Sequence, residues 1–416
     1  MSSSPYTLQE LLQELGQRVS LQDWSSAATL SLSGLRSFRD AAEPCSENLL
    51  KLYLHALSIP DRDVMSSSTQ SLFADALRAA LSSDASVRPS NSMLADCYSA
   101  LTFYNLEVCR FSESWLCAQR ATILYNNVLE RSVPMELTSV SALLNAHFHQ
   151  PLQALALADV VAASAPLLAS EELMMQAARV LSYFDLGHDV MSRSFAHSAY
   201  DNLDSLLAAP LDVGFGVHLC WVYFCIMQAE MASLISPRAP LRSFKDHVPR
   251  VRSASQQSSA AHSVFHLLSR TLMQLQNPTN ADQAATVRVL QGMQTVLRAL
   301  HAISHAPAPF SALELIPDSC VDAPSCDGAS VPMSQTLNLL TGCLRGVSLS
   351  ESQMRSLREA TPSPRMFRFY VSLHQGMTAQ RAAASKATAA PDAAGSKRRS
   401  DDSYEEEHAP PHCIVM

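Results

Sequence analysis

Apolar residues recur at three- and four-residue spacing along most of this chain, and long alternating runs of β-branched residues are absent. A period near 3.6 buries one stripe of a helix, whereas a period of two buries one face of a strand. Glycine points the same way. Only 11 of 416 residues are Gly, against abundant Ala and Leu, a balance that favours helix over sheet. The expected fold is all-α: packed antiparallel helix pairs over 1–377, followed by a disordered tail over 378–416.

The spacing predicts helices at 7–16, 21–36, 46–57 and 67–83, and a helical pair within 89–132 joined near Cys109-Arg110-Phe111-Ser112. Further helices are expected at 136–147, 152–164, 170–185, 189–208, 215–235, 257–276, 280–304, 333–345 and 350–360, with a last apolar patch at 365–377. Pro- and Ser-rich stretches at 236–255 and 305–332 read as loops. The most apolar segment runs from Val213 to Ile235, but its uninterrupted part is only Leu219–Met227. That is far short of the roughly 20 residues a membrane span needs, so a buried core helix is expected.

The net charge of −8 supplies no global attraction to nucleic acid. Arg238, Arg242, Lys245, Arg250 and Arg252 place five cations in one loop, and a solvated loop is the expected reading. The opening residues, MSSSPYTLQELLQELG, lack the basic and apolar regions of a secretory leader. The ten cysteines are therefore expected to stay thiols in a reducing compartment. They include no Cys-x-x-Cys pair, and His147 and His149 lack a third ligand at metal-site spacing. Neither a phosphate-cradling glycine loop nor a nucleophile elbow is present. The expected protein is non-enzymatic, without metal or cofactor.

Ser114, Ala118 and Ala121 lie about one turn apart in the 97–124 pair, and small residues at that spacing let two helices approach closely. With Tyr98 and Leu101 they resemble the tetratricopeptide repeat. Thr102 and Asn105 depart from that pattern, and no second copy appears at its 34-residue period. The segment SALTFYNLEVCRFSESWLCAQRATIL also resembles a helix pair in the regulatory, middle homology region of fungal zinc-cluster transcription factors. Tyr104, Arg110, Phe111, Glu113, Ala118 and Ala121 hold comparable places. This likeness extends over about 46–304, with Ser114 in place of a glycine and without the cysteine-rich DNA-binding cluster. It implies a helical regulatory fold acting through protein partners in transcription control, with no direct sequence-specific DNA contact.

The tail lacks a hydrophobic pattern. Its basic triplet Lys397, Arg398 and Arg399 suits nuclear import or a polybasic membrane contact. The last four residues, Cys413, Ile414, Val415 and Met416, match the C-terminal prenylation motif, and Met at the final position favours farnesyl on Cys413. One such chain anchors only reversibly. The expected location is nucleus or cytoplasm with a membrane-associated pool. The alternative function is a helical-repeat scaffold that the farnesyl group tethers reversibly to membranes.

Overall fold

The structure is a computed structural model that describes residues 7–38, 46–59, 67–82, 89–164, 166–208, 213–234, 255–278, 281–305, 333–361 and 363–388. Among these residues there is no strand, as the spacing predicts. The N-terminal helices are α1 (Leu8–Ser20), α2 (Trp24–Phe38), α3 (Glu47–Leu57), α4 (Ser67–Ser82), α5 (Asn91–Glu107) and α6 (Phe111–Ile123). A π-helical turn, Leu124–Val128, follows α6. Then come α7 (Met135–His147), α8 (Pro151–Ala162), α9 (Ala169–Asp185), α10 (Asp189–Asp201), the short α11 (Leu203–Ala208) and α12 (Val213–Leu234). The C-terminal helices are α13 (Ser255–Gln274), α14 (Ala281–His305), α15 (Met333–Arg345), α16 (Glu351–Ala360) and α17 (Pro364–Thr388).

Four helix pairs are joined by the same turn. Gln22, Cys109, His149 and Gly187 adopt positive φ angles of 56°, 59°, 61° and 84°. The residue after each donates its N–H to the carbonyl five residues back: Asp23 to Arg18 at 2.9 Å, and Arg110 to Asn105, Gln150 to Asn145 and His188 to Tyr183 at 2.8 Å. That bond closes the first helix in a Schellman motif. The same residue then accepts from the N–H four residues on, opening the second helix: Ala27 to Asp23, Ser114 to Arg110, Ala154 to Gln150 and Ser192 to His188. The chain thus reverses within two residues.

A common register of small residues lies behind each turn. The fifth residue after it is Ala27, Ser114, Ala154 or Ser192, and the ninth is Ser31, Ala118, Ala158 or Ala196; all are buried. The twelfth is Gly34, Ala121, Val161 or Ala199, likewise buried. A Cβ at Gly34 would meet Leu11 and Leu52 side-chain carbons at 2.9 and 3.0 Å, a measure of how closely these helices approach. Ser114 and Ser192 donate their buried hydroxyls to the Thr102 and Val180 carbonyls, each across twelve residues at 2.9 Å. The period expected for a tetratricopeptide array is 34 residues; the turns at 109, 149 and 187 instead recur after 40 and then 38.

The first helices of the pairs pack side by side: α1 on α3, α3 on α5, α7 on α9, and α9 on α12. The second helices pack there too: α2 on α3, α6 on α7 and α10 on α12. Two large apolar cores result, beside a small cluster of Ala158, Val161 and Met175, and α5 contributes to both large ones. Leu101 and Tyr104 close a core made with α1–α4, while Leu106 belongs to the larger core of α6 to α17. α5 is thus packed on both sides.

The larger core is built around α12. This is the one helix among the described residues long and apolar enough to cross a membrane, and 89% of its apolar window is buried inside the protein. A helix apolar all round needs neighbours all round, and α12 has them in α5, α9, α10, α13, α14 and α17. Trp221 stacks on Phe111 at 4.4 Å and meets His147 edge-on at 5.4 Å.

Several helix boundaries differ from expectation, two of them most. The segment predicted as 189–208 breaks at Asn202 between α10 and α11. The predicted end of the helical domain at 377 is passed by α17, which continues to Thr388. Its last turns are rich in Ala, which sustains helix without an apolar stripe to betray it.

Candidate functional site

On the first helix of each pair, the residues 13, 10, 9, 6 and 2 positions before the turn share one face. On α5 these are Asp96, Ser99, Ala100, Phe103 and Glu107, and all five line a groove of about 570 Å³. The C-terminal end of α3 forms one wall with Leu54, His55, Leu57 and Ser58. Tyr125 of the π turn and Glu136 of α7 form the other. The extra turn residue of the π segment brings Tyr125 back over α5, where its hydroxyl donates to Asp96 Oδ1 at 2.8 Å.

Three carboxylates, from Asp96, Glu107 and Glu136, and three phenyl rings, from Phe103, Tyr104 and Tyr125, line this groove; among the described residues no Lys or Arg does. Loss of surrounding water, and then the neighbouring Glu171 charge, raise the pKa of Glu136. Removal of His55 from water, and then the Lys51 charge, lower the His55 pKa and hold its ring neutral at physiological pH. The described lining is therefore acidic. Its aromatic floor suits the aliphatic stem of a Lys or Arg side chain, and its carboxylates suit the charged end.

Tyr104 sits where the groove meets the junction of the two cores. Its hydroxyl donates to Asp282 Oδ2 of α14 at 3.1 Å, as does Ser71 Oγ at 3.0 Å, while Arg110 Nη2 reaches Oδ1 at 2.7 Å. One carboxylate thus ties α4, α5 and the α5–α6 turn to the C-terminal half. Burial, opposed in part by Ser71, pushes the Tyr104 phenol up to about 12, so it remains a donor.

The other residues singled out in the sequence fall into place unevenly. Phe111, Ala118 and Ala121 are buried packing residues, and Glu113 is exposed on α6. His147 and His149 diverge. The first lies in the core, where burial lowers its pKa to about 3; the second bonds Asp185 Oδ2 through Nδ1 at 3.1 Å. Among the described residues, no group of three or more His, Cys, Asp or Glu is placed to hold a metal. Cys97, Cys109, Cys117, Cys220, Cys225 and Cys343 are free thiols, and burial pushes Cys220 and Cys343 up to about 12. Such thiols are not nucleophiles at neutral pH. The basic loop Arg238–Arg252, the triplet Lys397, Arg398 and Arg399, and the tetrapeptide Cys413, Ile414, Val415 and Met416 lie outside the described residues.

The groove residues Asp96, Phe103, Glu107 and Glu136 escaped the sequence reading. Their signal is a shared register before two matching turns, and that becomes visible only once the turns at 109 and 149 are aligned. No family model, curated protein or solved structure matches the chain.

Proposed function

We propose that this protein is a non-enzymatic helical-repeat scaffold whose groove holds an extended, basic segment of a protein partner. The observation that carries this reading is the groove between α3, α5 and α7, which combines three carboxylates and three phenyl rings, with no Lys or Arg among the described residues that line it. A cationic side chain laid across Phe103 would bring its charge to Asp96, Glu107 and Glu136. Stacked helix pairs suit such a role, because each contributes one strip to a continuous inner surface. The resemblance to the regulatory region of fungal transcription factors implies the same mode of action, through protein partners, and supports a regulatory setting for the scaffold.

The test is binding of a peptide array to the full chain by fluorescence anisotropy. Peptides with spaced Lys or Arg are expected to bind, and binding should weaken as salt rises. Glu107→Lys should abolish it while leaving the helical circular dichroism unchanged. Equal affinity for basic and acidic peptides, or binding untouched by Glu107→Lys, would overturn the proposal.

A further inference from the structure

A second cavity lies on the same inner face, two pairs further along, and is independent of the groove. It has a volume of about 40 Å³. Leu181 and Phe184 of α9, Phe224 and Gln228 of α12, and Met366 and Tyr370 of α17 enclose it on different sides. Most of its wall is apolar. Two of its polar side chains break the rule that buried polar groups find partners: Gln228 is 8% exposed and Tyr370 fully buried, yet the Gln228 Nε2 and the Tyr370 hydroxyl have no hydrogen-bond partner. Each unmade bond carries a desolvation penalty. Both groups are donors and both residues line this cavity.

The remaining polar lining limits the charge of an occupant. Asp185 accepts from Ser363 through one oxygen and pairs with His149 through the other, so its capacity is largely taken. His147 is neutral at physiological pH, and among the described residues no Lys or Arg lines the space. An anion would meet Asp185 without a counter-charge, and a cation would meet two donors. The volume corresponds to about three or four water-sized positions.

We propose that this cavity is a binding site for a small uncharged molecule that presents one hydrogen-bond-accepting oxygen to Gln228 and Tyr370, and an apolar remainder to Phe184, Phe224 and Met366. Short ketones and short-chain alcohols have this chemistry. Because α17 supplies one wall, occupancy also fastens that helix to α9 and α12.

Acetone is a suitable probe, since it carries one accepting carbonyl oxygen flanked by two methyl groups. The full chain, labelled with ¹³C at its methionine methyls, is titrated with acetone and followed by NMR. Saturable shifts are expected at Met333 and Met366, which line the cavity, with millimolar affinity appropriate to so small a ligand. Tyr370→Phe and Gln228→Leu should each weaken binding about fivefold, the value of one lost hydrogen bond. Absence of saturable shifts in the wild-type protein would overturn the proposal without recourse to any variant. So would equal shifts at methionines remote from the cavity, undiminished affinity in both variants, or a cavity that holds only long-lived water in the presence of acetone.

Discussion

The same helix face serves two different ends along this molecule. On α5 it carries Asp96, Ser99, Ala100, Phe103 and Glu107 and opens into a groove. On α7 the corresponding residues Ser139, Val140, Leu143 and His147 are buried, with Trp221 of α12 against the His147 ring. On α9 the face carries Leu181 and Asp185 and meets α17. The backbone device is shared; what differs is whether a later helix comes back to cover it. The covered stretch on α7 carries Val140 and Leu143 where α5 has Ala100 and Phe103, and it contributes stability. The open stretch keeps its polar residues and lines the groove. A repeat can therefore supply both core and binding surface without altering its turn.

The largest expected effect tests the covered half. Trp221→Ala removes a fully buried ring stacked on Phe111 and should destabilise the protein by about 4 kcal/mol, read as a shift in the urea midpoint. Phe103→Ala in the groove should cost about 1 kcal/mol or less while removing peptide binding. If the two variants lose similar stability, the division of labour is wrong.

Acid should also strike the covered half first. Burial lowers His147 to about 3 and His218 to about 4, from an ordinary value near 6.5. Both rings are neutral in the folded state, whereas the unfolded state takes up protons below about pH 6.5. Their contribution is thus intact above that pH and is lost as the pH falls towards 4 and then 3. At about pH 4.5 the loss amounts to about 2 kcal/mol or more for each ring. His218→Phe should flatten the acid slope measured by denaturant titration; an unchanged slope would show that this ring does not remain neutral.

The junction between the cores comes next. Asp282→Ala removes the acceptor for Tyr104, Ser71 and Arg110 and should cost about 2 kcal/mol. If the N-terminal core depends on that carboxylate for its docking, calorimetry of the variant should resolve two transitions where the parent shows one. A single transition at the parental temperature would mean that the cores are coupled by apolar packing alone.

The smallest effects concern the turn. Gly187 has a φ of +84°, and a Cβ added there would meet nothing within 4 Å. Gly187→Ala should therefore lose about 1 kcal/mol through backbone strain alone. The exposed Gln22 occupies the equivalent place, and Gln22→Gly should gain several tenths of a kcal/mol, offset by the greater freedom of glycine in the unfolded chain. Chemical denaturation of the two single variants is sufficient to distinguish the signs.

The helices were legible because each buries a periodic stripe. The close pair formed by α5 and α6 was legible from Ser114, Ala118 and Ala121 alone. The array was not, for two physical reasons. Its period of 40 and 38 residues differs from the spacing sought. Three of its four turns use Gln22, Cys109 and His149 at a positive φ where glycine would have marked them. The groove was hidden because Asp96 and Glu107 look like ordinary solvated charges until Phe103, Tyr125 and Glu136 are seen beside them. The role of α12 was legible from composition, since a helix apolar on every side has to be enclosed.

That enclosure has a mechanical consequence. An open stack of helix pairs behaves as a spring, with each pair touching only its neighbours. Here Trp221 reaches back to Phe111 and Asp282 to Arg110, clamping distant coils of the spring together. Extension under load must break these clamps before the pairs can slide, so α3 and α7 keep a fixed gauge. A ligand in the groove would meet a rigid calliper, and selection would follow the spacing of its charged side chains rather than their number.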